Sequence, residues 1–206
     1  TLPNSSSHPS MSLDKFTESL VHVPNTVEYL IKNDIKPLDI VNRESFINAI
    51  KMLYLIGGST NAVIHLLAMA RTADIELSLE DFKEYEHYPV LCDMKPHGEK
   101  VMHDLYISGG MRGLFNYFID NEYINGDMMT VNGKTLKENC EGYFLKDGII
   151  KKMKRDSHIK ILGNSFKCVL KIYSDQTLYS GKAIVFDDEK CFLKALKEDK
   201  IEKYHF

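Results

Sequence analysis

Between Asn61 and Arg71 the chain reads Ala-Val-Ile-His-Leu-Leu-Ala-Met-Ala, apolar on every side of a helical wheel. A helix without a solvated face persists only where other elements surround it. The sequence therefore predicts a helix over 61–71 buried all round, inside a chain large enough to enclose it. With 206 residues, 44% of them hydrophobic and 27% charged, one large domain or two small ones can hold such a core. Immediately before the helix stand Gly57-Gly58-Ser59-Thr60-Asn61, small residues that predict a tight interior turn.

The flanking sequence supplies the enclosing elements. After the turn-rich opening TLPNSSSHPS, Leu13, Phe16 and Leu20 recur at helical spacing, Pro24 interrupts, and Val27, Leu30 and Ile31 resume the stripe. This reads as two helices or one kinked helix. From Arg43 to Ile56, Phe46, Ala49, Ile50 and Leu53 share a face, and Gly57-Gly58 ends the helix as a C-terminal cap would. SLEDF opens a short helix with Ser78 as cap and Asp81 in the capping-box position. After the loop YPVLCDMKPHGEK, Met111, Leu114, Phe115, Phe118 and Ile119 form an amphipathic stripe opened by Gly109-Gly110.

Near Asn139 the texture changes. HIKIL, SFKCVLKIY and GKAIVF are β-branched or alternating runs, divided by Gly163-Asn164, Asp175 and Gly181, and a last helix is predicted over 188–198. The predicted fold is α+β. Residues 1–142 form a mostly helical domain, 143–157 a charged linker, and 158–206 the first strands of a second, β-rich domain.

Composition excludes several function classes. Twenty-six basic residues against 29 acidic ones, net −3, leave no footprint for nucleic acid or an anionic membrane. No apolar run approaches the ~20 residues of a membrane span. Cys92, Cys140, Cys168 and Cys191 lie 23 to 48 positions apart without a CxxC pair, so reduced thiols in an intracellular protein are expected. Thr1 stands where a Met would open a chain, which reads as a processed product or a piece of something longer.

Candidate site residues follow from local chemistry. Small polar residues at a helix mouth leave N–H groups free, and the helix dipole there favours an anion. Gly57, Gly58, Ser59, Thr60 and Asn61 are thus a cofactor- or substrate-facing turn, or else Ser59 or Thr60 caps the helix while the glycines permit close packing. His65 is a ligand, a base, or a hydrogen-bonded core residue. Lys95-Pro96-His97-Gly98 is an anion-holding turn or a surface turn. Asp187-Asp188-Glu189 resembles a carboxylate cluster but is better explained as acids gathered at a helix N-terminus.

Read in series, TLPNSSSHP, GGSTNAVIHLLAMAR, LSLEDF, CDMKPHGEKVMHDLYISGGMRGLFNYFIDNEYINGDMMTVNGKTLKEN and GKAIVFDDE resemble the dihydroxy-acid and phosphogluconate dehydratase family. The resemblance covers residues 1 to about 142 strongly and the rest weakly. KPHGEKVMHDLYISGG and TVNGKTLKEN are closest to the dihydroxy-acid branch.

The resemblance implies an α/β parent with a cluster-bearing N-terminal domain, a β-barrel-like C-terminal domain, and an active site between them. It implies an iron-sulfur cluster acting on the departing C3 hydroxyl, Mg2+ holding the substrate carboxylate and C2 hydroxyl, and a serine base. It also implies that the cluster cysteines and most magnesium ligands precede this chain's first residues, and that another metal-binding glutamate and then the serine follow its last. Catalytic and metal-binding residues are then expected to be none within this chain, and the four cysteines match no ligand position. Alone it is expected to be inactive. The complete enzyme would be an intracellular homodimer, cytoplasmic, mitochondrial or plastid, dehydrating 2,3-dihydroxy acids to 2-keto acids in branched-chain amino-acid synthesis. Sugar-acid or phosphogluconate dehydration is the alternative activity. A non-catalytic remnant that partners an intact subunit is the alternative class.

Overall fold

Helical periodicity and capping chemistry account for most of the elements. The computed structural model describes the backbone of residues 13–95, 98–146, 148–151, 159–162, 168–171 and 184–198. Side chains are described for 22–95, 98–146, 148–151, 159–161 and 184–198. In chain order come α1 (Leu13–Lys32), α2 (Pro37–Ile40), α3 (Arg43–Leu55), α4 (Asn61–Thr72), α5 (Leu79–Glu84), α6 (Met102–Ile107), α7 (Gly110–Asp120), α8 (Leu136–Cys140), β1 (Ile159–Leu162), β2 (Cys168–Lys171) and α9 (Glu189–Lys197). The chain divides into two compact units, Thr1–Tyr173 and Ser174–Phe206.

The caps are those the residue types call for. Asn42 accepts from Ser45 N at 3.0 Å to start α3. The Ser78 amide donates to Asp81 Oδ2 at 2.7 Å while Ser78 Oγ accepts from Glu80 N at 3.2 Å, starting α5. α3 ends as predicted, with Gly57 in the left-handed region at φ 65° and its N–H bonded to Tyr54 O at 3.1 Å. α1 runs unbroken through Pro24, which decides between one helix and two.

In the first unit α3 is central and buries two faces. Ile47, Ile50, Leu53 and Tyr54 pack with Val63, Phe82, Ile159 and Ile161. Leu55 joins Leu91, Leu105, Leu114, Phe118 and Ile149 in a second cluster. Between them the extended strip around Leu91 ties the unit together: Leu91 N donates to Leu55 O at 2.8 Å, and Asp93 N to Ile149 O at 2.8 Å. The first of these satisfies a carbonyl orphaned at the end of α3. Tyr54 is 1% exposed, and its hydroxyl donates to Phe82 O at 2.8 Å, so this buried phenol is satisfied.

β1 and β2 pair antiparallel in the register Ile159↔Lys171 to Leu162↔Cys168. Alternation puts Ile159 (2% exposed) and Ile161 (4%) on one face, against the α3–α5 core. The Ile161 amide donates to Glu86 Oε1 at 2.7 Å, anchoring the strand to the loop after α5. Ile149, Ile159 and Ile161 are all buried in the first unit. Two isoleucines on one strand face need an apolar cover, and α3 with α5 provides one. The described strands form a two-stranded ladder and no barrel.

In the second unit the third expected strand is not one over its described part. Residues 184–186 carry no regular secondary structure and no ladder partners among the described residues, and Val185 is 89% exposed. α9 forms as predicted, with Asp188 accepting from Cys191 N at 2.7 Å, so that acid is a cap. The opening TLPNSSSHPS, Pro96-His97, Gly163–Lys167, Asp175 and Gly181 fall outside the described residues.

Candidate functional site

The sequence singles out the joint between α3 and α4. Gly57 is buried there and Gly58 and Thr60 are half-buried, while Ser59 and Asn61 are exposed. Only part of the predicted interior turn is therefore interior. Gly58 N donates to Leu53 O at 2.8 Å, folding the turn back onto α3. A Cβ on Gly58 would collide with Leu53 Cδ1 and lie 3.2 Å from Leu53 O, so the second glycine is required by close approach. Ser59 Oγ accepts from Asn61 N at 3.3 Å, whereas Thr60, already helical at φ −58°, makes no side-chain cap. Ser59 thus performs the modest capping role that its residue type allows.

Beside this joint lies a groove of about 560 Å³. Each of three helices contributes a stripe at its own period. α3 presents Asn48 and Met52, followed by its C-cap Ile56; α4 presents Ala62, His65, Leu66 and Met69; α7 presents Met111 and Phe115. The segment after α7 closes one side with Ile124, Met128 and Thr130. None of Gly57, Gly58, Ser59, Thr60 and Asn61 lines it; they stand at its lip, between Ile56 and Ala62.

α4 is not enclosed on all sides as predicted. Val63 and Ala70 are buried, but Ile64 is 66% and Met69 52% exposed, and His65 is exposed as well. The described elements pack on only one face of this helix, and its apolar remainder borders the groove or solvent. His65 is accordingly not a buried core histidine.

Two polar devices that local sequence did not reveal shape the groove wall. Asn48, 8% exposed, donates from Nδ2 to Asn125 O at 2.7 Å and accepts from Asn125 N at 2.9 Å through Oδ1. One carboxamide thus grips both backbone groups of a residue 77 positions away. Around Thr130, Asn139 Nδ2 donates to Thr130 Oγ1 at 2.9 Å and to Thr135 O at 2.9 Å, and Asn132 Nδ2 donates to Asn139 Oδ1 at 2.7 Å. The only hint in the sequence is a lone asparagine within the apolar run Phe46-Ile47-Asn48-Ala49-Ile50.

Neither Cys92 nor Cys140 presents a thiol suited to an iron-sulfur cluster. Cys92 is fully buried and burial pushes its thiol up to about 12; Cys140 is raised to about 11 by burial, against a smaller opposing effect of Arg112. A cluster needs thiolates, and apolar burial favours the protonated form. Cys191 is exposed in the second unit, and the Cys168 side chain lies outside the described residues. Among the described residues, no three His, Cys, Asp or Glu side chains are grouped to hold a metal ion. The buried acid Asp93, 5% exposed, has structural partners: it accepts from Glu99 N at 3.0 Å and pairs with Lys151 at 3.8 Å.

Comparison with known proteins places this architecture. The family model described as the dihydroxy-acid/6-phosphogluconate dehydratase N-terminal region matches residues 1–139. A dihydroxy-acid dehydratase of Flavobacterium psychrophilum is 37% identical over 213 residues, which is 98% of this chain and 38% of the relative. A mitochondrial dihydroxy-acid dehydratase of Aspergillus fumigatus is 40% identical over 215 residues, 98% of this chain and 35% of its own length. A mitochondrial one from Saccharomyces cerevisiae is 37% identical over 218 residues, again 98% of this chain and 37% of its own. The chain thus spans little more than a third of the length of the relatives it matches. Both the family model and these relatives include the α3–α4 joint and all the groove-forming helices, and the chain belongs to the dihydroxy-acid/6-phosphogluconate dehydratase family.

Proposed function

We propose that this chain supplies the helical framework of a hydro-lyase that converts 2,3-dihydroxy acids to 2-keto acids. The observation that carries this reading is similarity at 37–40% identity across 98% of the chain to proteins named dihydroxy-acid dehydratase. In the net reaction a 2,3-dihydroxy acid loses its C2 proton and C3 hydroxyl as water, and the enol tautomerises to the 2-keto acid. The chain's own contribution is positioning. Gly57, Gly58, Ser59, Thr60 and Asn61 form a turn at the mouth of α4, where exposed Ser59 and Asn61 and the positive end of the helix dipole suit a carboxylate or cofactor. On this reading the catalytic groups, an iron-sulfur cluster and Mg2+ belong to parts of the enzyme outside residues 1–206, a reading supported by the chain's spanning only 35–38% of the relatives' length.

This reading places the enzyme in branched-chain amino-acid synthesis, as a homodimer in an intracellular compartment, the mitochondrion being the one named for fungal relatives. Among the described residues no helix is long and apolar enough to cross a membrane. The test is a chimera in which residues 1–206 replace the 213 matched residues of the Flavobacterium relative. After anaerobic loading with iron, sulfide and Mg2+, it is assayed for keto acid from 2,3-dihydroxy-3-methylbutanoate and from 6-phosphogluconate. Turnover of the first supports the reading, and preference for the second moves the chain to the sugar-acid branch. A folded, cluster-loaded chimera without turnover on either removes the hydro-lyase reading. The open apolar groove favours one second reading, a non-catalytic partner of an intact dehydratase subunit.

A further inference from the structure

We propose that Asn125-Gly126 is a site of spontaneous backbone modification, where water converts an asparagine to isoaspartate and so loosens one wall of the groove. The inference goes beyond the proposed function and does not depend on it.

The sequence contains two Asn-Gly steps, Asn125-Gly126 and Asn132-Gly133, both between α7 and α8. A glycine after asparagine puts no side chain in the way of its own amide and leaves the backbone free to turn. The amide nitrogen, its proton released to solvent, attacks asparagine Cγ and forms an N–Cγ bond. The Cγ–Nδ2 bond breaks, and Nδ2 takes a proton from water and departs as ammonia. Water then opens the resulting five-membered imide at either carbonyl, giving aspartate or isoaspartate. By local chemistry the two steps are alike.

Tertiary contacts set them apart. At the second step the Gly133 N–H donates to Thr130 O at 3.0 Å, which occupies the nucleophile. The leaving nitrogen, Asn132 Nδ2, donates to Asn139 Oδ1 at 2.7 Å, and Asn139 is 8% exposed. Asn132 Oδ1 in turn accepts from Thr130 Oγ1 at 2.8 Å and from Asn139 Nδ2 at 3.1 Å, so this half-buried carboxamide is held at both ends. At the first step Asn125 is exposed, and among the described residues neither the Gly126 N–H nor Asn125 Nδ2 makes a hydrogen bond. Asn48 grips only the backbone of Asn125, which fixes the residue and leaves its carboxamide free to react.

Asp127 N donates to Asn125 Oδ1 at 2.9 Å, the oxygen on which negative charge gathers during attack. Lys134 N makes the same contact to Asn132 Oδ1 at 3.1 Å, so the difference between the steps lies in the nucleophile and the leaving group.

Isoaspartate routes the main chain through Cβ and Cγ, adding a methylene. Asn125 O, which accepts from Asn48 Nδ2 at 2.7 Å, then belongs to a free α-carboxylate. Gly126 has little room to absorb the added length: a Cβ there would lie 3.0 Å from Ile119 Cγ2 and Lys137 Cβ, and its carbonyl accepts from Lys137 N at 2.8 Å. The strain falls on the 126–130 segment, which carries Met128 and Thr130 of the groove wall.

The experiment incubates the 206-residue chain in mildly alkaline buffer, with and without urea, and follows amide-to-acid conversion by peptide-resolved mass spectrometry. Isoaspartate methyltransferase labelling identifies the isomer, and buried Cys92 reports folding through its resistance to alkylation. In the folded chain Asn125 should convert at least about tenfold faster than Asn132, where two hydrogen bonds must break first, and should yield isoaspartate. In urea the two rates should converge. Equal rates in the folded chain, faster conversion of Asn132, or no conversion of Asn125 overturns the inference. A difference that persists in urea overturns it too, because sequence alone would then select the site. So does a reactive Cys92 without urea, since the contacts that separate the two steps would be absent. Hydrogen exchange checks the consequence: the Lys137 amide should lose protection in the isoaspartate form, and retained protection overturns the loosening of the wall.

Discussion

Gly58→Ala tests the joint between α3 and α4 most directly. The added Cβ would collide with Leu53 Cδ1, which belongs to a buried residue 5% exposed in the α3–α5 core. Overpacking of this kind costs about 1–3 kcal/mol. Leu53→Ala alone removes a core side chain and costs about 2–5 kcal/mol, but it also deletes the atom that the new methyl would strike. What remains is Leu53 O at 3.2 Å, a contact relieved by a shift of a few tenths of an ångström. In the Leu53→Ala background Gly58→Ala should therefore cost close to nothing, and the double mutant should be about 1–3 kcal/mol more stable than the sum of the singles. Urea unfolding followed by far-UV circular dichroism, dominated by the helices of the first unit, measures all four corners of the cycle. Additivity within about 0.5 kcal/mol would refute the account of why this position is glycine. Gly148 makes a poor neutral reference: a Cβ there meets nothing within 4 Å, but its φ of 99° strains any other residue.

Other residues give independent checks. Asn48→Ala removes both grips on Asn125 and should cost about 1–3 kcal/mol while deprotecting the Asn125 amide to hydrogen exchange; retained protection would show that the loop is held otherwise. Glu122, exposed and left-handed at φ 59° after α7, should be replaced by glycine with a gain of about 0.5–1 kcal/mol in urea midpoint analysis, and a loss would refute the strain argument. For Cys92 the folded thiol is raised to about 12 from an ordinary 9.0, so the unfolded chain ionises first. Its contribution to stability is whole below pH 9 and declines as pH rises to about 12, at up to about 1.4 kcal/mol per pH unit. Cys92→Ala should flatten the alkaline limb of a stability–pH profile, and an unchanged slope would refute the assignment.

How much of this was readable beforehand divides along the distance over which each cause acts. α3, α4, α7 and α9 are visible in the sequence because apolar spacing, Gly57 after α3, and Asp188 before α9 are all local. α6 and α8, six and five residues long, carry too little periodicity to see and go unpredicted, whereas the equally short α5 is found by its Ser78 cap; Thr135 and Glu138 spell a similar capping box that the structure uses at 2.9 Å between their side chains.

The family is legible in the order and spacing of short motifs along one chain. The site is less so. Gly57–Asn61 announces a tight joint, and the structure sets that joint at the lip of a groove whose walls come from α3, α4, α7 and the 124–130 segment. Asn48 meets Asn125 across 77 positions, and β1 finds cover on α3 and α5. Sequence by itself determined the longer helices, several of their caps, and which family they serve, since backbone hydrogen bonding and side-chain period operate over a few residues. Tertiary structure alone decided which apolar faces meet and which stay open, because burial depends on what lies opposite. A helix apolar on every side, as α4 is, needs a cover but cannot name the segment that provides it.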